Sequence, residues 1–422
     1  MAGAAAAVPR RSRKRPRRCN AAASLPLDLL LEIAARSDPA TLVRCAATSK
    51  DLRRRIADPV FRRQLRLRHA DRFVPSLLRG FLKQLWYLNH LHLVDSATAD
   101  ATRIKFTAAA AFSSPAGGGR DGGDEAVRSW HPVAARDGLI LVCGRVDWGP
   151  DHKLCVYCPA TDRSRALPPG PSLHGEYILL VGDGDGDGGA AIGRPFQVLK
   201  ACFVKPEGGS LPSLHIHTFS SEQGTWCSRI SSNHLVMHGT QCPENPVVVG
   251  DTVQWLYNLN WTYYVLKVHV RAEKVTFRAL PRSFQRAASR LLHVRPRTVR
   301  MQILMARSSS GRSPVVLVAN NNGVVYAWEQ SESAGKWSKR PQLIKDFGEM
   351  MTKMKAGSGS VRLEWFAERS GLVLVTVTAP DESSSFLLDL QSKEITECSS
   401  SYSTIPYEMD VSSWVPTFTR IF

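Results

Sequence analysis

The sequence predicts an α+β multidomain chain, with a small N-terminal helical module followed by a mainly-β domain, a β-propeller of about six blades. Three observations carry this expectation. Residues 25–56, LPLDLLLEIAARSDPATLVRCAATSKDLRRRI, crowd helix-start signals and spaced apolar residues together with almost no linker. Beyond about residue 125 the texture changes to short alternating apolar runs divided by Gly, Pro, Asp and Ser, which marks strands. A loose unit recurs within that region, and a repeat of about 40 to 50 residues built from three or four strands is the mark of a propeller.

The chain has 422 residues, 43% hydrophobic and 22% charged, enough for a small domain and a large one. No apolar run approaches 18 residues, and AGAAAAVP precedes the basic block instead of following it. Neither a membrane span nor a secretory leader is therefore expected, and the expected location is nucleus and/or cytoplasm. Nine cysteines are an odd count, scattered singly apart from one Cys-x-x-Cys, which suits reduced thiols. The net charge of +18 is uneven. Residues 1–80 hold 19 basic and 6 acidic residues, so the large domain is only mildly basic and a polyanion groove across the whole protein is disfavoured.

Residues 1–22 read as a disordered basic tail. Arg10, Arg11, Arg13, Lys14, Arg15, Arg17 and Arg18 form a nuclear-import candidate, or an arm touching phosphates. Residues 23–68 form the helical module. Pro26 suits a first helical turn, Asp28 sits where the helix dipole favours an anion, and Leu29, Leu30, Ile33 and Ala34 make an apolar stripe. Asp38-Pro39 repeats the cap-plus-proline device ahead of Leu42. Thr48 and Asp51 resemble a capping box before Leu52 and Ile56, and Asp58-Pro59 leads into Phe61 and Leu65. Four short helices in about 45 residues make a core too small to enclose a ligand, so a partner is expected to complete it.

Residues 69–124 read as a connecting region and low-complexity loop, and residues 125–422 as the propeller-like, target-binding domain. Expected strands are Leu139–Cys143, Leu154–Tyr157, Tyr177–Val181, Phe196–Val204, Leu214–Phe219, Pro246–Val249, Tyr263–Val270, Val315–Ala319, Val324–Trp328, Leu372–Thr378 and Ser385–Leu390, with helical periodicity nearly absent. The recurring unit is visible in ARDGLILVCG…KLCVYCPATDRSRALPP, VVVGDTVQWLYNLNWTYYVLKVHVRAEKVTFRALP and RSGLVLVTVTAPDESSSFLLDLQSKEITEC. A pair of β-sandwiches fits the strand count but explains the repeated order less well.

LPLDLLLEIAARSDPATLVRCAATSKDLRRRIADPVFRRQL resembles an F-box, with Leu25, Pro26, Leu29, Ile33, Leu42 and Phe61 on matching positions. It departs at Ser37, where a leucine is usual, and at Leu52, where a tryptophan often stands. CPATDRSRALP, with Cys158 in place of the usual asparagine, and TIPYEMDVSSWVP are similar to the propeller-like domains of plant F-box proteins. The resemblance implies a substrate receptor of a cullin-type ubiquitin ligase. Leu25, Pro26, Leu29, Leu30, Ile33, Leu42 and Phe61 would dock a Skp-family adaptor and, through it, a cullin scaffold, while the β domain presents a target protein that the sequence does not name. Such a subunit is non-catalytic, brings target and conjugating enzyme together, and needs no cofactor. The alternative is a nuclear nucleic-acid-binding protein using the basic arm, and a carbohydrate-binding lectin comes third.

Other constellations give little chemistry. GDGDGDGG places Asp183, Asp185, Asp187 and Gly188 at four calcium-loop positions, but Arg194 stands where the bidentate Glu belongs. Cys155 and Cys158, with Cys143 and His152 nearby, lack the second pair a zinc knuckle needs. His215 and His217 alternate on one strand without an accompanying carboxylate. No nucleophile elbow, Walker loop or kinase set is legible. The aromatics of QWLYNLNWTYY read as blade packing, with a partner-binding rim as the alternative.

Overall fold

The computed structural model describes residues 25–37, 39–69, 72–85, 90–96, 98, 100–104, 129–145, 152–171, 175–182, 192, 194–204, 213–232, 246–250, 252–259, 262–270, 272, 274–294, 302–310, 313–353, 359–379, 382–398 and 404–410. The basic block Arg10–Arg18 and the acidic GDGDGDGG loop beyond Gly182 lie outside these residues.

Four helices open the described chain: α1 (Leu27–Arg36), α2 (Pro39–Thr48), α3 (Lys50–Ile56) and α4 (Pro59–His69). Prolines at the first position of α2 and α4 start those helices without losing a bonded N–H. Asp58 caps α4, its Oδ1 accepting from Val60 N at 2.8 Å. The cap of α3 is Ser49 and not Thr48: Ser49 Oγ accepts from Asp51 N and Leu52 N, whereas Thr48 Oγ1 turns back to donate to Cys45 O at 2.7 Å. Thr48 already belongs to α2, so its hydroxyl finds the carbonyl of the turn behind it.

Six four-stranded antiparallel sheets follow, each a blade of one ring. Blade II is β4 (Ser129–Arg136), β5 (Leu139–Arg145), β6 (His152–Cys158) and β7 (Arg163–Ala166). Blade III is β8 (Glu176–Val181), β9 (Phe196–Val204), β10 (Ser213–Ser220) and β11 (Trp226–Ser232). Blade IV is β12 (Val247–Val249), β13 (Thr252–Leu259), β14 (Thr262–His269) and β15 (Lys274–Ala279). Blade V is β16 (Ile303–Arg307), β17 (Pro314–Ala319), β18 (Val324–Glu329) and β19 (Gln342–Asp346). Blade VI is β20 (Ser360–Ala367), β21 (Leu372–Thr378), β22 (Ser383–Asp389) and β23 (Ile395–Cys398).

Blade I is assembled from both ends of the chain. Its strands are β1 (Leu78–Leu85), β2 (His90–Asp95) and β3 (Ala101–Ile104), and β24 (Ile405–Glu408) pairs with β1 in the first-strand position. The strands β1, β2 and β3, read from the sequence as connecting region, therefore belong to the ring, which begins at Leu78 and not at 125. Short, mostly exposed strands such as β3, with little apolar alternation, hide that assignment.

Where a blade is buried on both faces its middle strands are rich in apolar residues, as in β5 (LILVCGR), β17 (PVVLVA) and β21 (LVLVTVT). Leu139, Leu141 and Cys143 of β5 pack toward blade III, whereas Ile140 and Val142 pack toward blade I. Val253, Trp255 and Tyr257 of β13 likewise face blade III, which makes them blade packing. Trp261 lies outside the described residues. Two helices that the sequence reading missed lie on crossovers between blades: α5 (Arg282–Val294) from IV to V and α6 (Gly348–Lys353) from V to VI. Phe284 and Ala288, one helical turn apart, bury α5 against the ring.

Candidate functional site: the helical docking face and its seat on the ring

Helix α1 is two-sided. Ala34 and Ala35 are buried with Leu42, Ala46, Ile56 and Leu65 in the core of the module, while Leu25, Leu29 and Ile33 are 52%, 52% and 53% exposed. Leu29 and Ile33, four apart, share one face of the helix turned away from the core, and Leu25 stands just ahead of the N-cap Pro26. Leu30 is half-buried, and Pro26 is exposed at the N-cap of α1. Leu42 is 1% exposed, so it holds the bundle together and cannot itself touch a partner; Phe61 packs half-buried against the same core. Leucine recurs on both faces, and sequence spacing alone does not separate them.

The sequence reading missed Val60 and Leu67, both exposed on α4 and seven residues apart on one face. Arg68 joins α4 to α1 by bonding Glu32 Oε1 at 3.0 Å, so the two exposed rows sit on helices stitched side by side. The bond to Arg68, with a second to Arg36, holds the Glu32 carboxyl below the usual range. The two departures from the F-box pattern have structural roles: Ser37 ends α1, donating to Ile33 O at 2.9 Å, and Leu52 is buried.

The module is seated on the end of the ring where first strands turn into second strands. Val74 and Leu77 belong to the helical core, yet Val74 N donates to Arg369 O in the β20–β21 turn and Leu77 O accepts from Met409 N just after β24. Phe73 inserts among blades V and VI, edge-on to Phe366 with ring centroids 6.0 Å apart. Gly371 faces it at φ +75°, where a Cβ would run into the Phe73 ring. Both reasons require glycine there.

Buried charges converge on the same seam. Asp137, in the β4–β5 turn, takes two bonds from Arg369, at 2.8 Å from Nε and 3.1 Å from Nη2. Burial alone would raise the Asp137 carboxyl, but the Arg369 charge and its bonds outweigh that and hold it below the usual range. Arg136 bridges to Glu368 at 2.7 Å, and Asp410 lies 3.3 Å from Arg194 and 3.9 Å from Arg66 of α4. Glu408, at the end of β24, accepts from Arg369 N, Ser370 N and Ser370 Oγ; burial pushes its carboxyl up, opposed by those bonds. The last strand, two turns and the helical module are thus one bonded unit. Removing one partner from such a buried network leaves a charge uncompensated.

His69 sits at the C-terminal end of α4 under this seam, 5% exposed, and Nδ1 accepts from Arg72 Nε at 2.9 Å and Nη2 at 2.7 Å. Burial, reinforced by the Arg72 charge, lowers it from 6.5 to about 4. The unfolded chain therefore takes up this proton first as the pH falls. The His69 contribution is complete above 6.5, declines from there to about 4 and then levels. The protection of α4 amides, corrected for the pH dependence of free-amide exchange, should fall on acidification through that window, and a His69→Gln variant should lose the part of the pH dependence that His69 supplies.

The remaining candidates divide between cores. Cys155 and Cys158, three apart on a strand, point to opposite faces, Cys155 toward blade I and Cys158 toward blade III, so they do not converge on one metal. Burial pushes the Cys155 thiol up to about 12. Among the described residues no group of three or more His, Cys, Asp or Glu side chains could hold a metal ion. His217 lies opposite Lys200 on β9, and burial lowers its ring below the usual value. No helix of the described residues is long and apolar enough to cross a membrane.

A helical module of this build joined to a propeller defines a class, a chain with an N-terminal F-box-like domain followed by a six-bladed β-propeller. Residues 22–68 match the family model described as F-box-like. Residues 100–405, more than half of the chain, match the model described as Domain of unknown function (DUF7595), and the chain belongs to that family. No curated protein matches the chain. Solved structures similar to it include TolB from Acinetobacter baumannii, 8% identical with a TM-score of 0.42, over 78% of this chain and 65% of that one. A mutant Aleuria aurantia lectin in complex with Fucα1-6GlcNAc is 12% identical with a TM-score of 0.33, over 67% and 79%. Likeness at this level carries no functional argument, and the ring rests on its own strand pairing.

Proposed function

We propose that the protein is the non-catalytic substrate receptor of a Skp–cullin–F-box ubiquitin ligase. In this reading Leu25, just ahead of α1, with Leu29 and Ile33 on its exposed face, docks a Skp-family adaptor, the adaptor brings the cullin, and the propeller presents a target protein. The observation that carries the reading is that row, half-exposed and apolar on the module that matches the F-box-like model. Burying each of the three side chains against a partner would contribute on the order of 1 kcal/mol. Fixed seating of the module on the ring would hold the target in a defined place relative to the adaptor, which is what acceleration by proximity requires. The plant F-box resemblance points the same way, and the basic block at Arg10–Arg18 serves nuclear import.

Leu25→Ala with Pro26→Ala should abolish capture of a purified Skp-family adaptor while the thermal transition of the ring stays in place. Capture that survives the double substitution contradicts the reading. Substitution is the right instrument because a chain starting near 126 would also lose β1–β3 and open blade I.

A further inference from the structure

We infer that the end of the ring opposite the helical module carries a docking surface for an acidic, Asp/Glu-rich polypeptide segment, built on the outward side of α5. The placement follows from topology. The helical module enters at Leu78, which pairs with Glu408 at the end of β24 and lies with the turns that join first strands to second strands. Helix α5 begins after Ala279, which pairs with Tyr264 near the start of β14, and it leads into β16, the first strand of blade V. It therefore sits at the other end, pointing away from whatever holds the helical module.

The chemistry follows from the two sides of α5. The inner side is fixed: Phe284 and Ala288 are fully buried, Gln285 bonds both backbone groups of Tyr263, and Ser283 Oγ accepts from Trp328 Nε1. On the outer side Arg282 and Arg286 are exposed one turn apart, and among the described residues neither has a carboxylate partner. Arg290 follows at the same spacing in the sequence, and residues 282–300 contain six arginines and no Asp or Glu. The described pair Arg282 and Arg286 is not neutralised by a described carboxylate and complements an acidic partner.

A polypeptide fits better than a nucleic acid. Phe284, the one Phe, Tyr or Trp of α5, is buried, so among the described side chains the helix offers no stacking platform for bases. The neighbouring crossover helix α6 carries both Glu349 and Lys353, which breaks any continuous basic track for a phosphate backbone. The inference rests on the target-presenting reading and names the kind of segment that the ring would hold.

The test uses the full chain with the seven basic residues between Arg10 and Arg18 replaced by glutamine, so that the tail does not compete. A fluorescein-labelled peptide of twelve glutamates is titrated by anisotropy against this protein and against its Arg282→Glu/Arg286→Glu variant. Two reversed charges should weaken binding about tenfold and flatten its salt dependence. Glutamate at 282, in the first turn of α5, is favoured by the helix dipole, and Arg286 is an exposed surface position, so the variant should melt with the parent. Equal affinity of parent and variant overturns the inference, and so does tighter binding of an oligothymidylate of equal charge than of the peptide. Adaptor capture measured on the same preparations separates the two ideas, because its loss would sink the receptor reading while leaving peptide binding to be judged by itself.

Discussion

Truncation after Thr404 should abolish the native ring. The deletion removes β24, and with it the ladder to β1, the buried Tyr407 and the carboxylates of Glu408 and Asp410. Tyr407 alone, 3% exposed, is worth about 3–5 kcal/mol by analogy with other large aromatic truncations. Loss of Glu408 strands three donors at Arg369 and Ser370, each costing roughly 1–3 kcal/mol when buried and unpaired. Those costs together match or exceed the whole stability of a typical domain, about 5–15 kcal/mol. The truncated protein should elute as an expanded species and bind a hydrophobic dye, whereas a cooperative melt within a few degrees of the parent would contradict the closure described above.

The second large effect separates the core of the helical module from its face. Leu42→Ala opens a cavity beneath α1 and should cost about 2–5 kcal/mol, enough to melt so small a bundle. Ile33→Asp changes an exposed residue and should leave the melt almost unmoved. Its carboxylate would nevertheless be buried unpaired against an adaptor, a penalty of about 2 kcal/mol or more. Circular dichroism should therefore report the first substitution and adaptor binding the second; a reversal of the two would mean that the face and the core have been exchanged.

Much of this architecture is legible in the sequence, for reasons that differ by element. All eleven strands expected from apolar runs occur, and Phe196–Val204 and Leu372–Thr378 occur residue for residue, because strands buried on both faces are dominated by apolar residues. The recurring unit begins at the turn between first and second strands, as in ARDG and RSG, which is where Asp137, Arg369 and Gly371 sit. Edge strands such as β7, reading RSRA, carry no such signal because one side of them meets solvent. β24 escaped because its partner lies more than 300 residues earlier, a pairing that no local pattern encodes. Helix α5 was readable after all: Phe284, Ala288 and Leu291 keep helical spacing with no Gly or Pro between Arg282 and Val294. In the helical module, spacing found the helices but not which residues they expose: Leu42 is buried, whereas Val60 and Leu67 stand exposed on α4.

In the receptor reading, the exposed row Leu25, Leu29 and Ile33 recruits a cullin ligase through its adaptor. Its most direct test is affinity purification of the intact protein beside a Leu29→Asp/Ile33→Asp variant of unchanged melting temperature, with bound Skp-family adaptor and cullin quantified by mass spectrometry. The receptor reading predicts both subunits in near-stoichiometric amounts with the intact protein and neither with the variant. Absence of both from the intact protein, or equal recovery with the variant, would contradict it.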